Sequence, residues 1–209
     1  MSSHESPPKL ETTEWWQRIA RRIRVPLGFL TAALYLFELW RRQPRPSAVA
    51  WSLLLVLPGL WLRAYASGYV KKNLELTQTG PYAHTRNPLY LGSILIAAGF
   101  AVALLSWLVA ATMTAMFLII YVPVIASEER FLRSNFPEFD TYCRRVPRLI
   151  PRLTAAAPPS GQTEVSSGKF SVGLYLRHRE YNATIGAALL YLSLLFLRPL
   201  LELFLHVPH

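Results

Sequence analysis

The sequence predicts an all-α, polytopic membrane bundle, and three observations carry that expectation. The chain has 209 residues, of which 52% are hydrophobic and 12% aromatic, and a mean hydropathy of +0.25, which is too apolar for a small soluble domain. Apolar runs recur along it, most of them near the ~20 residues that a helix needs to cross ~30 Å of hydrocarbon, giving about five transmembrane helices. The net charge of +10 is concentrated in the polar segments between those runs, as in loops that face an anionic cytoplasmic leaflet.

The same composition excludes other classes. Nucleic-acid binding is disfavoured because the arginines flank apolar runs and no soluble nucleic-acid fold is evident. One cysteine, Cys143, forbids an internal disulfide framework, and five scattered histidines offer no metal set. Residues 1–24 end in Arg21-Arg22-Ile23-Arg24 and superficially resemble an export signal. The following apolar run ends in Trp40-Arg41-Arg42 with no small-residue cleavage site behind it, so a retained first helix is expected.

Taken in order, residues 12–24 place Trp15, Trp16, Ile19 and Ile23 at helical spacing with arginines between them, an amphipathic helix lying in the membrane interface. Spans follow at 25–40, 48–66, 88–105, 107–126 and 182–205, the first of them short. Only Ser106-Trp107 separates the third from the fourth, which forces a tight helical hairpin on the outer side. The N-terminal segment, the loop 67–87 and the segment 127–181 carry Lys and Arg and so belong together in the cytoplasm, which makes this an integral, multi-pass membrane protein with its polar site facing the cytoplasm. Arg41, Arg42 and Arg45 dissent from that topology unless they snorkel to the headgroups. The resulting divisions are the N-terminal segment 1–24, two spans within 25–66, a core over 67–152, a linker rich in Ala, Pro, Ser and Gly over 153–169, and a C-terminal helix over 170–209 that either spans or covers the site.

Charged groups set against membrane helices point to a site. In the loop Thr79 to Gly92, Gly80-Pro81 ends what precedes it and Pro88 holds Asn87 out of the helical region. A helix opening at Pro88 would set unsatisfied N–H groups beside Arg86, Asn87 and Tyr90, an arrangement suited to a carboxylate or phosphate. The plain alternative is that Arg86 and Tyr90 only anchor a span at the interface. Downstream, Pro123 should kink its helix, and Ile125, Glu128, Leu132 and Phe136 recur at helical spacing. Glu128 therefore shares the apolar face, while Glu129 points about 100° away and is expected to pair with Arg133 at i,i+4. A carboxylate on an apolar stripe must meet a cation, either a ligand's or that of Arg86.

Tyr82, Arg86-Asn87-Pro88-Leu89-Tyr90-Leu91-Gly92, Gly99, Glu128-Glu129-Arg130-Phe131-Leu132, Tyr142 and Val146-Pro147-Arg148 resemble, in order and spacing, the isoprenylcysteine carboxyl methyltransferase family and its phospholipid methyltransferase relatives. The resemblance covers residues 74–151. It implies a cytoplasmic S-adenosylmethionine site, with cofactor roles for Leu76, Thr77, Tyr82, Asn87, Pro88, Leu89, Tyr90 and Glu128. Arg86 would orient the acceptor's carboxylate or the cofactor. The partners implied are membrane lipid and a lipophilic or prenylated acceptor. A carboxylate and aromatic faces suit the cofactor's sulfonium and ammonium, and N–H donors suit its carboxylate. Two departures stand out. The family's Arg-His-Pro is Arg86-Asn87-Pro88 here, and the arginine that eukaryotic members use for the prenylcysteine, one turn before the first glutamate, is Val124. The acceptor is therefore open among a prenylated cysteine carboxylate, an amine headgroup and another lipid acid or hydroxyl. An amine or hydroxyl would also need a proton acceptor, for which Glu129 and His84 are candidates.

Two rival readings remain. Membrane sterol reductases share the architecture and bind NADPH, but the paired glutamates and the lack of a basic cluster in 74–90 for a 2′-phosphate argue against them. A non-enzymatic lipid- or partner-binding protein would explain the missing arginine, but not the joint retention of Tyr82, Tyr90 and Glu128. A soluble-type methyltransferase does not compete, because no G-x-G occurs in the chain.

Overall fold

The structure is a computed structural model that describes residues 30–71, 75–157 and 169–205. The interfacial helix expected at 12–24 and most of the linker expected at 153–169 lie outside them. The described residues contain helices and no strand. Helix α1 covers 30–41, α2 Pro46–Ser67, α3 Pro88–Leu104, α4 Trp107–Met116, α5 Val122–Asn135, α6 Phe139–Arg145, α7 Val172–Arg177 and α8 Tyr181–Leu205. A 3₁₀ turn over Gly80–Ala83 precedes α3, and a π turn over Phe117–Tyr121 joins α4 to α5.

By length and composition, two helices among the described residues can cross a membrane: α2, and the continuous 29-residue rod Trp107–Asn135 made of α4, the π turn and α5. α3 and Tyr181–Leu197 are shorter apolar helices. The helix that holds the fourth expected span, 107–126, runs on through the paired glutamates to Asn135. Pro123 explains the π turn. It lacks the N–H that would bond the carbonyl of Ile119, and its ring crowds that carbonyl. The helix widens one turn earlier, where the N–H of Val122 reaches back five residues to the carbonyl of Phe117.

α2 and α3 form the most extensive helix pair. Small residues let them approach. A Cβ on Gly59 would lie 2.8 Å from the carbonyl oxygen of Gly92, and one on Gly99 would lie 2.4 Å from Cγ2 of Val56. Such close backbone contact is the usual way apolar helices gain packing energy where no water drives them together. The α3–α4 hairpin turns through Leu105, with φ +48°, and Ser106, whose Oγ caps the N–H of Val109. α8 lies along the bundle: Ala187 and Leu194 join Tyr35, Leu39, Val56 and Phe100 in the core. Its polar groups find partners there, Tyr191 with Ser52 at 2.7 Å and Ser193 with Tyr35 at 2.6 Å.

The arginines that conflicted with the expected topology have an internal partner. Glu38, fully buried, pairs with Arg41 at 2.9 Å and Arg42 at 2.8 Å, and Arg42 also donates to the carbonyl of Leu105. One carboxylate thus neutralises part of that basic segment and ties α1 to the hairpin turn.

Candidate active site

The loop between α2 and α3 holds its shape because the segment after α6 lies against it. The N–H of Arg86 donates to the carbonyl of Pro147 at 2.9 Å, that of Arg152 to His84 at 2.9 Å, and that of Ala156 to Ala83 at 3.0 Å. Asn87 sends its side-chain amide to the carbonyl of Arg148 at 2.8 Å, and Tyr142 donates its hydroxyl to the carbonyl of Tyr82 at 2.7 Å. Burial pushes the hydroxyls of Tyr82 and Tyr142 well above the usual phenol range, so both stay protonated. Gly80 takes φ +59° in this loop, and a Cβ there would strike the ring of Tyr69 at 2.6 Å, so the turn admits only glycine. α3 opens with Pro88 in its first turn, as expected.

Between this loop, α2, α3 and α5 lies a cavity of about 530 Å³, within the range of small-ligand sites. Leu76, Thr77, Tyr82, Arg86, Asn87, Pro88, Leu89, Tyr90 and Glu128, the residues singled out from the sequence, all line it. Tyr90 donates its hydroxyl to Glu128 Oε1 at 2.9 Å, which joins the start of α3 to α5 across the cavity.

One sequence expectation is corrected and two of the open alternatives are set aside. Glu129 does not pair with Arg133, whose partner is Asp140 at 2.8 Å. It lines the cavity beside Glu128, held by Arg86 at 3.2 Å and Arg148 at 3.1 Å. The i,i+4 rule fails because two guanidiniums from other elements reach Glu129, and because Arg133 sits over the ring of Phe139, beside Asp140. The cation of Arg86, considered above as a partner for Glu128, accordingly goes to Glu129 and also donates to the sulfur of Cys143. His84 is not among the cavity-lining residues; its Nδ1 contacts the carbonyl oxygen of Arg152 at 2.8 Å.

The sequence reading missed several lining residues. Arg63, near the C-terminal end of α2, pairs with Glu180 at 2.7 Å and bonds the carbonyl of Leu89 and the hydroxyl of Ser93. A lone arginine inside a span was the available signal. Glu180 arrives on a strap just before α8. That strap is anchored to the end of α2 by the N–H of Ser171 on the carbonyl of Gly68, by His178 on that of Ser67, and by the ring of Phe170 against Tyr65. Lys71 and Glu75 form a further pair at 3.2 Å.

The charges lining the cavity can be counted. Arg63, Lys71 and Arg86 face Glu180, Glu75 and Glu129 in three pairs. Glu128 is the fourth lining carboxylate and, among the described residues, has Tyr90 and no cation as its partner. Among the described lining side chains the carboxylates therefore exceed the cations by one, with Arg148 reaching Glu129 from outside the lining.

An apolar groove of about 840 Å³ adjoins the cavity, lined chiefly by α3 and the rod that contains α4. Ser93 and Tyr121 line both spaces. Among the described residues no group of three or more His, Cys, Asp or Glu side chains gathers to hold a metal ion.

Residues 49–138 match the phospholipid methyltransferase family. Among curated proteins the chain is similar to the nickel-cobalt-cadmium resistance protein NccN of Alcaligenes xylosoxydans xylosoxydans, 42% identical over 95 residues, which are 46% of this chain and 44% of that protein. The cobalt-zinc-cadmium resistance protein CzcN of Cupriavidus metallidurans is 42% identical over 95 residues, 46% of this chain and 43% of its own length. The matched stretch thus spans less than half of either relative. No solved structure matches the chain.

Proposed function

We propose that this chain, whose residues 49–138 carry the pattern of the phospholipid methyltransferase family, is a membrane methyltransferase that uses S-adenosylmethionine and methylates a lipophilic acceptor. The observation that carries this reading is the charge count of the cavity. S-adenosylmethionine at neutral pH has a sulfonium, an ammonium and a carboxylate, a net charge of about +1. Its cationic part matches Glu128, the carboxylate left without a cation, and the rings of Tyr82 and Tyr90 supply aromatic faces. Its carboxylate suits the polar donors at the start of α3. When bound, the cofactor supplies an electrophilic methyl group on a sulfonium.

The residues of the chain then do positioning work. Transfer to an anionic acceptor needs no proton acceptor, so orientation supplies most of the rate. Arg86, held between Glu129 and Cys143, presents a fixed guanidinium at the cavity wall and orients a carboxylate. The groove reached through Ser93 and Tyr121 receives the acceptor's apolar tail, so that the tail leaves the membrane no further than this groove while the headgroup enters the polar cavity. An amine or hydroxyl acceptor would need a base, and the glutamates of the cavity wall are better placed for that than His84.

NADPH use by a sterol-type reductase is disfavoured because a 2′-phosphate would add negative charge to a lining in which Glu128 has no described cation partner. The test is calorimetric binding of S-adenosylhomocysteine to the full chain in lipid nanodiscs, with NADPH in parallel. Binding of the first and not the second is expected. Binding of neither would overturn the enzymatic reading in favour of a non-catalytic lipid-binding protein.

A further inference from the structure

The polar cavity and the apolar groove meet at two side chains, and these differ in freedom. Ser93 is small and fixed, its hydroxyl donating to the carbonyl of Leu89 at 3.0 Å and accepting from Arg63. Tyr121 is large and stands at the end of the π turn. Its ring stacks on Phe117, at 5.5 Å and 14°, and meets Tyr90 edge to face, at 5.6 Å and 80°. Phe117 lines the groove and Tyr90 lines the cavity, so the Tyr121 ring bridges one aromatic in each.

The π turn gives this arrangement its geometry. Adding one residue to a helical turn rotates everything beyond it by about 100° relative to an unbroken α-helix. Up to the first residue of the turn, Ala110, Met113 and Phe117 face the groove; downstream of it Val124, Glu128 and Glu129 face the cavity. The changeover falls at Tyr121. Such a widening costs backbone hydrogen-bond quality, and here Pro123 fixes its place.

We infer that Tyr121 is the specificity-determining residue of the acceptor side: its ring, with Ser93 the other residue common to both linings, forms a neck whose width decides which headgroups pass from the groove to the methyl-donor cavity. The inference rests on the methyltransferase reading for what lies beyond the neck, but Tyr121 and Ser93 line both spaces whatever the cavity binds. Size selection at one side chain is commonly worth about tenfold or more between substrates that differ by a small group.

The test uses the full chain in nanodiscs and two photoactivatable probes: palmitic acid with a diazirine at C3, and its bulkier α-phenyl analogue. Crosslinks are mapped by mass spectrometry. In the wild type the slim probe should label cavity residues such as Leu89 and Tyr90 in strong preference to the bulky one. Tyr121→Ala should reduce that preference about tenfold or more, and Tyr121→Trp should abolish cavity labelling by both probes. Ala97→Trp, which fills the groove away from the neck, should also prevent the slim probe from reaching the cavity. A preference unchanged across the Tyr121 variants, cavity labelling that survives Ala97→Trp, or no cavity labelling in the wild type would each overturn the proposal. S-adenosylhomocysteine binding is measured on the same samples. Its absence together with the expected labelling pattern would refute the methyltransferase reading and leave the neck standing.

Discussion

Two adjacent glutamates line one cavity and should respond oppositely to the same change. Glu128→Gln keeps an acceptor for the Tyr90 hydroxyl and removes only a charge that no described cation neutralises. The fold should hardly notice, with a shift in Tm of less than about 2 °C, as for other surface-accessible changes. The cofactor should notice strongly. A hydrogen bond to a charged group contributes about 1.5–3 kcal/mol, and 1.4 kcal/mol is a factor of ten, so S-adenosylmethionine affinity should fall about 10- to 150-fold. The loss should be smaller for S-adenosylhomocysteine, which lacks the sulfonium charge. Glu129→Gln removes the carboxylate shared by Arg86 and Arg148, whose side chains are 15% and 44% exposed. Breaking a fully buried pair costs about 3–5 kcal/mol, but the exposure of Arg148 lowers this to about 1–3 kcal/mol. At about 2–4 °C per kcal/mol for a chain of this size, Tm should drop by about 2–12 °C before any ligand is added. Calorimetry with both ligands and a thermal melt of the ligand-free protein separate the two effects. If Glu128→Gln destabilised the ligand-free protein as much as Glu129→Gln, or if its affinity loss were under about threefold, the charge count of the cavity would be the wrong explanation.

Other perturbations reach other parts of the structure. Gly99→Ala would put a Cβ 2.4 Å from Val56 and 3.0 Å from the carbonyl of Ser52, and overpacking of about 1–3 kcal/mol should lower Tm by about 2–12 °C. Gly186→Ala, with nothing within 4 Å of the added carbon, is the control and should leave Tm unchanged or slightly raised. Arg63→Met should strand Glu180 and lower both stability and cofactor affinity, while the double change Arg63→Met with Glu180→Leu should recover part of the stability, a coupling of about 0.5–3 kcal/mol read from a thermal double-mutant cycle. Burial pushes the Cys143 thiol up, against the opposing pull of Arg86. A raised thiol pKa means less thiolate at neutral pH, so maleimide labelling of this single cysteine should be slower than for a free thiol and should keep rising above the usual thiol range. A rate that levels off at or below that range would contradict the burial argument.

Much of the fold was legible because apolar runs and prolines leave few choices. Pro88 in the first turn of α3 and the short connection before Trp107 were read from local chemistry alone, and the helices follow. The π turn was not legible. Pro123 announces a disturbance, but whether a helix bends or widens depends on what its neighbours accommodate, here the rings of Phe117, Tyr121 and Tyr90. The role of Glu38 was also hidden, although its spacing to Arg41 and Arg42 was in view, because a charge in a short apolar run says nothing about burial until the hairpin turn is placed above it.

The cavity shows where periodicity stops informing. A helix-face argument assigns Glu128 inward and Glu129 outward, on the assumption that there is one inside. Around α5 there are two: the cavity, and the packing of the loop 80–87 against the segment after α6, which brings Arg86 and Arg148 to Glu129 from outside the helix. The face of a helix fixes direction, whereas the job of a carboxylate depends on which cations other elements deliver. Three pairs consume every basic side chain of the described lining and leave Glu128 over, and no window of sequence contains that subtraction, since Arg63, Lys71, Arg86 and Glu180 come from four separate stretches. Electrostatic readings of a membrane site therefore become decisive only once the ion pairs have been matched in space. Here the carboxylate that remains after matching is Glu128, which the apolar stripe assigned inward although it is more exposed than Glu129, and it is the residue to change first.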